Sequence, residues 1–243
     1  MKVLMACAGM NTELRPFTDM MPKCLLPVKA KPILFHNLEW LKKFDISEVV
    51  ITTSYYHNQI ELALNKFQFE NFNETNFSIN IHKQKGSVGT AQSLNQLSYK
   101  FDEEVFLFLH GGNLYDFDIE NYYKIHKNNG KPISILSHMS MGDSKYKTFI
   151  KYKNGSDKIE KISVRPDYKM TKELLATSGA CYLSPAIFDK FEKKDRHLFD
   201  DIIPKQLDDI NVIVDNTSVR FINTPREYLS IAESKGMAGI HKM

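Results

Sequence analysis

Lys2-Val3-Leu4-Met5-Ala6-Cys7-Ala8-Gly9 opens the chain, and a polar stretch from Met10 to Met21 then leads to Pro22-Lys23. A short apolar run that halts at a glycine reads as a buried β-strand running into a loop. Working outward, Pro32 stands where a helix can begin, and Ile33, Leu34, Leu38, Trp40 and Leu41 recur at helical spacing. Glu48 to Thr53 is rich in β-branched residues and reads as the next strand. Residues from His57 to Phe67 read as a helix, Phe77 to His82 as a half-exposed strand, and Val105 to Leu109 as a strand buried on both faces. Gly86 to Thr90 forms a glycine-bearing turn into a helix that ends near Leu97. Strand and helix alternate through this half, which predicts parallel strands with helices on both faces.

Past Pro132 the pattern turns to strands, at Ile133 to His138, Tyr146 to Tyr152, Ile159 to Val164 and Ala180 to Leu183. Helices are expected at Asp118 to Asn128, Phe199 to Leu207 and Pro225 to Lys235, and an exposed loop at Asn71 to Asn76. With 243 residues, no repeat and no linker, the chain reads as one α/β domain spanning residues 1–243.

Composition narrows the function. A net charge of +3 from 32 basic and 29 acidic residues does not suit a nucleic-acid binder, which carries a clustered basic face. No run of apolar residues is long enough to span a membrane. The three cysteines, Cys7, Cys24 and Cys181, are too widely spaced for a zinc motif and odd in number, so they read as buried thiols in a reducing cytoplasm.

In an open α/β sheet, ligands bind beyond the carboxyl ends of the parallel strands. Three loops leave such ends here, after Ala8, His82 and Leu109. In the first, Gly9 lets backbone N–H groups approach an anion closely. From spacing alone the loop reads equally as a surface turn, because it is neither a Walker A sequence nor a dinucleotide fingerprint.

Larger blocks decide between the two. Ala8-Gly9 through Pro16, Pro22-Lys23-Cys24-Leu25-Leu26-Pro27-Val28 and Lys31-Pro32-Ile33 together resemble the sugar-1-phosphate nucleotidyltransferases, also called nucleotide-sugar pyrophosphorylases. The likeness continues through Gln84 with Gly89-Thr90-Ala91, Gly111-Gly112-Asn113 with Asp116-Phe117-Asp118, and Val164-Arg165-Pro166. Ser178-Gly179 and Asn223-Thr224-Pro225-Arg226-Glu227-Tyr228-Leu229 complete it. The resemblance implies a Rossmann-like, mixed and mostly parallel sheet of the nucleotide-diphospho-sugar transferase type. It implies transfer of a nucleotidyl group from a nucleoside triphosphate to a sugar 1-phosphate, with pyrophosphate released and Mg²⁺ as cofactor.

Residue by residue, the resemblance makes Lys23 the catalytic contact to phosphate oxygens. It assigns Ala8, Gly9, Asn11, Thr12, Glu13, Gln84, Gly89 and Thr90 to the nucleotide, and Arg165, Ser178 and Gly179 to the sugar phosphate. The amide of Gln84 can read a base edge, and Thr90 can equally serve as a helix N-cap. The chain departs from the pattern where charge matters. Glu13 replaces an arginine, Asn11 a glycine, and Arg165 a lysine. Gly112 and Phe221 occupy the positions of the two Mg²⁺ aspartates, so no metal ligand is assigned. Two readings follow: a nucleotidyltransferase with an altered metal site, or a silent relative that binds nucleotide or nucleotide sugar as a sensor or subunit. Neither the base nor the sugar is identified, and a homo-oligomer is compatible with the sequence.

Overall fold

The computed structural model describes residues 1–71, 77–86, 88–139, 148–164, 174–216 and 219–233. In chain order it begins with β1 (Lys2–Ala6), the short strands β2 (Pro27–Val28) and β3 (Lys31–Pro32), α1 (Ile33–Leu41) and β4 (Glu48–Thr53). Then come α2 (His57–Asn71), β5 (Ser78–Lys83), α3 (Thr90–Gln96), α4 (Ser98–Phe101), β6 (Phe106–His110) and β7 (Leu114–Tyr115). After α5 (Ile119–Asn129) follow β8 (Ile133–Met139), β9 (Thr148–Tyr152), β10 (Ile159–Val164) and β11 (Leu175–Leu183). The last elements are β12 (Ile210–Val214), β13 (Val219–Arg220) and α6 (Pro225–Glu233).

The chain divides into two compact units. The first comprises Met1–Ser87, Leu109–Asp118 and Ser218–Met243. In it β4 lies between β1 and β5, both parallel to it, with Lys2 opposite Glu48 and Glu48 opposite Ser78. β1 and β4 are buried because Val3, Leu4, Met5, Val49, Val50 and Ile51 leave almost no surface exposed. The pairing runs past the end of β1, where the Cys7 N–H donates to the Thr52 carbonyl at 3.0 Å. Below the loop that follows, Leu14, Leu26, Val28, Ile33, Leu114, Ile222 and Tyr228 form one apolar cluster. Chain segments far apart in sequence therefore meet under this loop, and burial of such side chains contributes about 1.5–3 kcal/mol each.

The second unit comprises Val88–Phe108 and Ile119–Thr217. Its strand β8 pairs antiparallel with β11 and parallel with β12. β11 also meets β9, which pairs antiparallel with β10. The fold class is thus the α/β mixed sheet that the sequence predicts, parallel in the first unit and largely antiparallel in the second.

Two expectations change. β12 does not stand out in the sequence, because Ile210-Asn211-Val212-Ile213-Val214 is short and broken by asparagine. In addition, no regular α-helix covers Phe199 to Leu207. A π turn at Leu198–Ile202 gives way to 3₁₀ turns at Ile203–Lys205 and Leu207–Asp209. Pro204 explains the break, since it brings no N–H to an α-helical ladder and its ring crowds the preceding turn. The asparagine-rich loop expected at Asn71 to Asn76 falls, after Asn71, outside the described residues.

Candidate functional site: a buried ammonium

The loop after β1 is fastened at several points. Asn11 adopts the left-handed conformation, with φ 50° and ψ 51°, and its side-chain amide donates to the Gly9 carbonyl at 2.9 Å. Asparagine tolerates that conformation because its short polar side chain can bond locally. A 3₁₀ turn at Thr12–Leu14 follows. The Thr18 hydroxyl donates to the Asn11 carbonyl at 2.8 Å, and the Tyr56 hydroxyl donates to the Thr18 carbonyl at 2.9 Å. Leu14 drives into the apolar cluster, while Gly9 and Thr12 stay exposed and Ala8, Asn11 and Glu13 are half-buried. The expected phosphate loop is therefore a shaped segment with its polar edge outward.

Lys23 lies in the next 3₁₀ turn, Lys23–Leu25, and is only 7% exposed. Its ammonium donates to Asn223 Oδ1 at 3.1 Å and to Asn113 Oδ1 at 3.4 Å. Burial lowers its pKa from 10.5 to about 8, against the pull of the Glu13 and Glu227 carboxylates and of Cys24, which favour the charged form. Its stem runs over Gly112, where a Cβ would meet Lys23 Cδ and Cε at 2.5 Å. Any side chain at 112 would compete with the lysine for that space.

The partners are themselves held. Asn37, fully buried in α1, donates to the Asn113 carbonyl at 2.7 Å and accepts from the Tyr115 N–H at 3.3 Å. The Gly111 N–H donates to the Ala6 carbonyl at 3.0 Å, joining this segment to the end of β1. Asn223 precedes a capping box at the start of α6. There Glu227 Oε2 accepts from the Asn223 and Thr224 N–H groups at 2.8 and 3.0 Å, and Thr224 Oγ1 accepts from the Glu227 N–H at 3.2 Å. Sequence reasoning missed Asn37 and the role of Asn223. The usable signal for Asn37 was an uncharged polar residue on the apolar face of a predicted helix, between Leu34 and Leu38.

Gln84 follows β5, is 5% exposed, and its N–H donates to the Thr53 carbonyl at 2.8 Å. It belongs to the same unit as the loop and lies beyond the carboxyl ends of β4 and β5. Cys7 and Cys24 are both buried, and a hydrogen bond to Cys24, with burial, raises the Cys7 thiol well above its ordinary pKa. Such a thiol is a poor nucleophile, and neither cysteine is assigned a chemical role.

The remaining candidates lie in the second unit or outside the described residues. Gly89 has φ 88°, and a Cβ there would clash with the Arg196 carbonyl oxygen. Thr90 is the first residue of α3, and its hydroxyl accepts from the Leu198 N–H at 2.9 Å. The N-cap position falls on Gly89, so Thr90 does not cap α3, and its hydroxyl ties two chain segments together. Gly89→Ala is expected to destabilise the protein by at least about 2 kcal/mol, because it combines positive φ with a clash against backbone. Urea unfolding would check this, and a loss under about 0.5 kcal/mol would contradict it. Ser178 and Gly179 are buried where the register of β11 shifts between Thr177 and Cys181. The Ser178 hydroxyl accepts from the Ala180 N–H at 3.2 Å. A bulge of this kind re-aims side chains and is common beside binding sites. Arg165 lies outside the described residues.

The fit to Mg²⁺ is poor. Gly112 has no side chain, Phe221 offers a phenyl ring, and the space over Gly112 holds the Lys23 stem. Mg²⁺ demands oxygen ligands in near-octahedral array. The two nearby amide oxygens, from Asn113 and Asn223, already accept from Lys23. Glu227 is engaged by two backbone N–H groups. Among the described residues, no group of three or more His, Cys, Asp and Glu is placed to hold a metal ion.

The sequence matches the family described as Nucleotidyl transferase over residues 2–220. It is 29% identical over 206 residues to mannose-1-phosphate guanyltransferase beta-B of Xenopus laevis, covering 84% of this chain and 55% of that protein. The chain thus spans about half the length of the curated relatives it matches. Among solved structures it resembles HddC from Yersinia pseudotuberculosis complexed with GMP-PN, with a TM-score of 0.77, 17% identity, and 96% and 98% of the two chains covered. It also resembles UDP-glucose pyrophosphorylase complexed with UDP-glucose, with a TM-score of 0.74, 16% identity, and 95% and 96% covered. The match across residues 2–220 includes the loop after β1, the Lys23 turn and the Gly111-Gly112-Asn113 segment, and the chain belongs to the nucleotidyl transferase family.

Proposed function

We propose that the protein transfers a nucleotidyl group from a nucleoside triphosphate to a sugar 1-phosphate and releases pyrophosphate. The observation that carries this reading is the buried Lys23 ammonium, held by Asn113 and Asn223 and attracted by Glu13 of the loop after β1, in a chain of the nucleotidyl transferase family. Relatives named as mannose-1-phosphate guanyltransferases support the substrate pair. In this reaction a phosphate oxygen of the sugar phosphate attacks the α-phosphorus in line. The new P–O bond forms as the bond between the α-phosphorus and the bridging oxygen breaks, and pyrophosphate leaves with that electron pair. Catalysis of such a step is mainly positioning and charge neutralisation. Lys23 supplies a point charge, and the N–H groups of the loop supply donors for phosphate oxygens.

We assign Gln84 to the base, and Arg165, Ser178 and Gly179 to the sugar phosphate. Three free, buried cysteines suit a reducing compartment, where we place the protein. Among the described residues, no helix is long and apolar enough to cross a membrane.

The test is pyrophosphate release across a matrix of nucleoside triphosphates and hexose or heptose 1-phosphates. The expected result is release that needs one member of each class, with the corresponding nucleotide sugar as product. Nucleotide binding with no release from any pair would replace this reading with that of a non-catalytic binder.

A further inference from the structure

We propose that Lys23 is the resident cation of this site, so that the triphosphate is held without a divalent metal. The proposal rests on the family reading of the site as a phosphate pocket and departs from the metal that reading implies. Three observations carry it. The first is steric: the Lys23 stem fills the space over Gly112, 2.5 Å from where a Cβ would lie. A carboxylate at 112 and the lysine in its present seat exclude each other. The second concerns donors: the Asn113 and Asn223 amide oxygens converge on the ammonium at 3.4 and 3.1 Å, from residues 90 and 200 positions away in sequence. The fold gathers two neutral oxygens about one lysine, which suits a monovalent ammonium. The third is electrostatic: Glu13 acts on Lys23 as an attractive countercharge. A carboxylate in this loop repels a triphosphate on its own, yet helps keep a buried lysine protonated.

An ammonium has three donors. Two point at the asparagine oxygens, which leaves donor capacity for a phosphate oxygen. Binding of a phosphate would also replace part of the hydration that burial removed from the ammonium, drawing Lys23 further towards its charged form.

The experiment is calorimetric titration of the full chain at pH 7 with each common nucleoside triphosphate, and with tripolyphosphate as a base-free probe. Each titration is run in Mg²⁺ and again in excess EDTA. The expected affinity for the best nucleotide agrees within about threefold between the two conditions. Lys23→Met should lower it by at least about 30-fold, the range expected for a lost hydrogen bond to a charged group. Gly112→Ala keeps every charge but crowds the lysine stem, and is expected to weaken binding as well. It also serves as the second probe should Lys23→Met fail to fold.

Binding that vanishes in EDTA and returns with Mg²⁺ overturns the proposal, while leaving the family activity standing if turnover is seen. EDTA-insensitive binding that neither Lys23→Met nor Gly112→Ala weakens also overturns it. Absence of binding in both conditions overturns this proposal together with the functional reading. Turnover in excess EDTA would support both.

Discussion

Between pH 8 and pH 10.5 the wild-type protein is expected to gain about 3 kcal/mol of stability relative to Lys23→Met. The sign follows from proton counting. Burial lowers the Lys23 pKa from 10.5 to about 8 in the folded state. In that window the unfolded chain holds a proton on this lysine that the folded protein has released. Unfolding therefore takes up a proton, and stability rises with pH. Below pH 8 both states are charged, and the folded protein bears the full cost of a buried ammonium. A shift of about 2.5 units corresponds to roughly 3 kcal/mol. Lys23 is 7% exposed, so solvent screening removes little of this.

The comparison with Lys23→Met is essential, because other groups titrate nearby with the opposite sign. Burial raises the Cys181 thiol, and a hydrogen bond to Cys24 with burial raises that of Cys7. Their thiolates form first in the unfolded chain, so these cysteines oppose the gain in both proteins. Urea unfolding at several pH values would measure the difference, and a pH-independent difference would show that Lys23 is not charged and buried as described. Retaining Lys23 in this buried seat costs the folded chain stability. Such conflicts between local cost and fold are expected at functional sites.

The parts of this arrangement differ in how far the sequence disclosed them. β4 and β10 fall at the residues expected, Glu48–Thr53 and Ile159–Val164, because β-branched and alternating runs are local signals. The helix start at Thr224-Pro225 was equally legible, since a capping residue, a proline and a glutamate three positions after the cap sit together in sequence. The proposed role of Lys23 as a phosphate contact comes from its flanking motif. Its burial could not be read there, because that depends on a missing Cβ at Gly112 and on amide oxygens 90 and 200 residues away. Glu13 shows the same limit. By itself it looks like a repulsive replacement, and only its attraction to Lys23 gives it a partner. Asn37 was overlooked because helical spacing ranks residues by apolarity, while its role is to satisfy the backbone of the segment from Asn113 to Tyr115.

Acidification from pH 6.5 to about 4 is expected to weaken the wild-type protein by about 2–3 kcal/mol more than it weakens His126→Gln. His126, on α5 in the second unit, is 2% exposed. Its Nδ1 lies 2.8 Å from Ser134 Oγ and its Nε2 lies 3.1 Å from Ser184 Oγ, while its ring stacks on Tyr182. A neutral imidazole needs one donor and one acceptor, and two hydroxyls supply both roles. Burial, with a smaller contribution from the Lys127 charge, lowers its pKa from 6.5 to about 4. In that interval the unfolded chain binds a proton that the folded protein refuses, so stability falls as pH falls. The ring joins α5 to β8 through Ser134 and to the residue after β11 through Ser184, and β8 and β11 are paired strands. Protonation therefore turns an acceptor nitrogen into a second donor inside that framework, at the strand that carries Ser178 and Gly179. Glutamine retains one donor and one acceptor without titrating, which keeps the variant a test of charge more than of packing. Carboxylates such as Asp195 and Asp201, whose pKa values are lowered in the fold, weaken both proteins equally in strong acid. Equal acid sensitivity of wild type and variant above pH 4 would show that His126 ionises freely and that the two serines impose no neutral state.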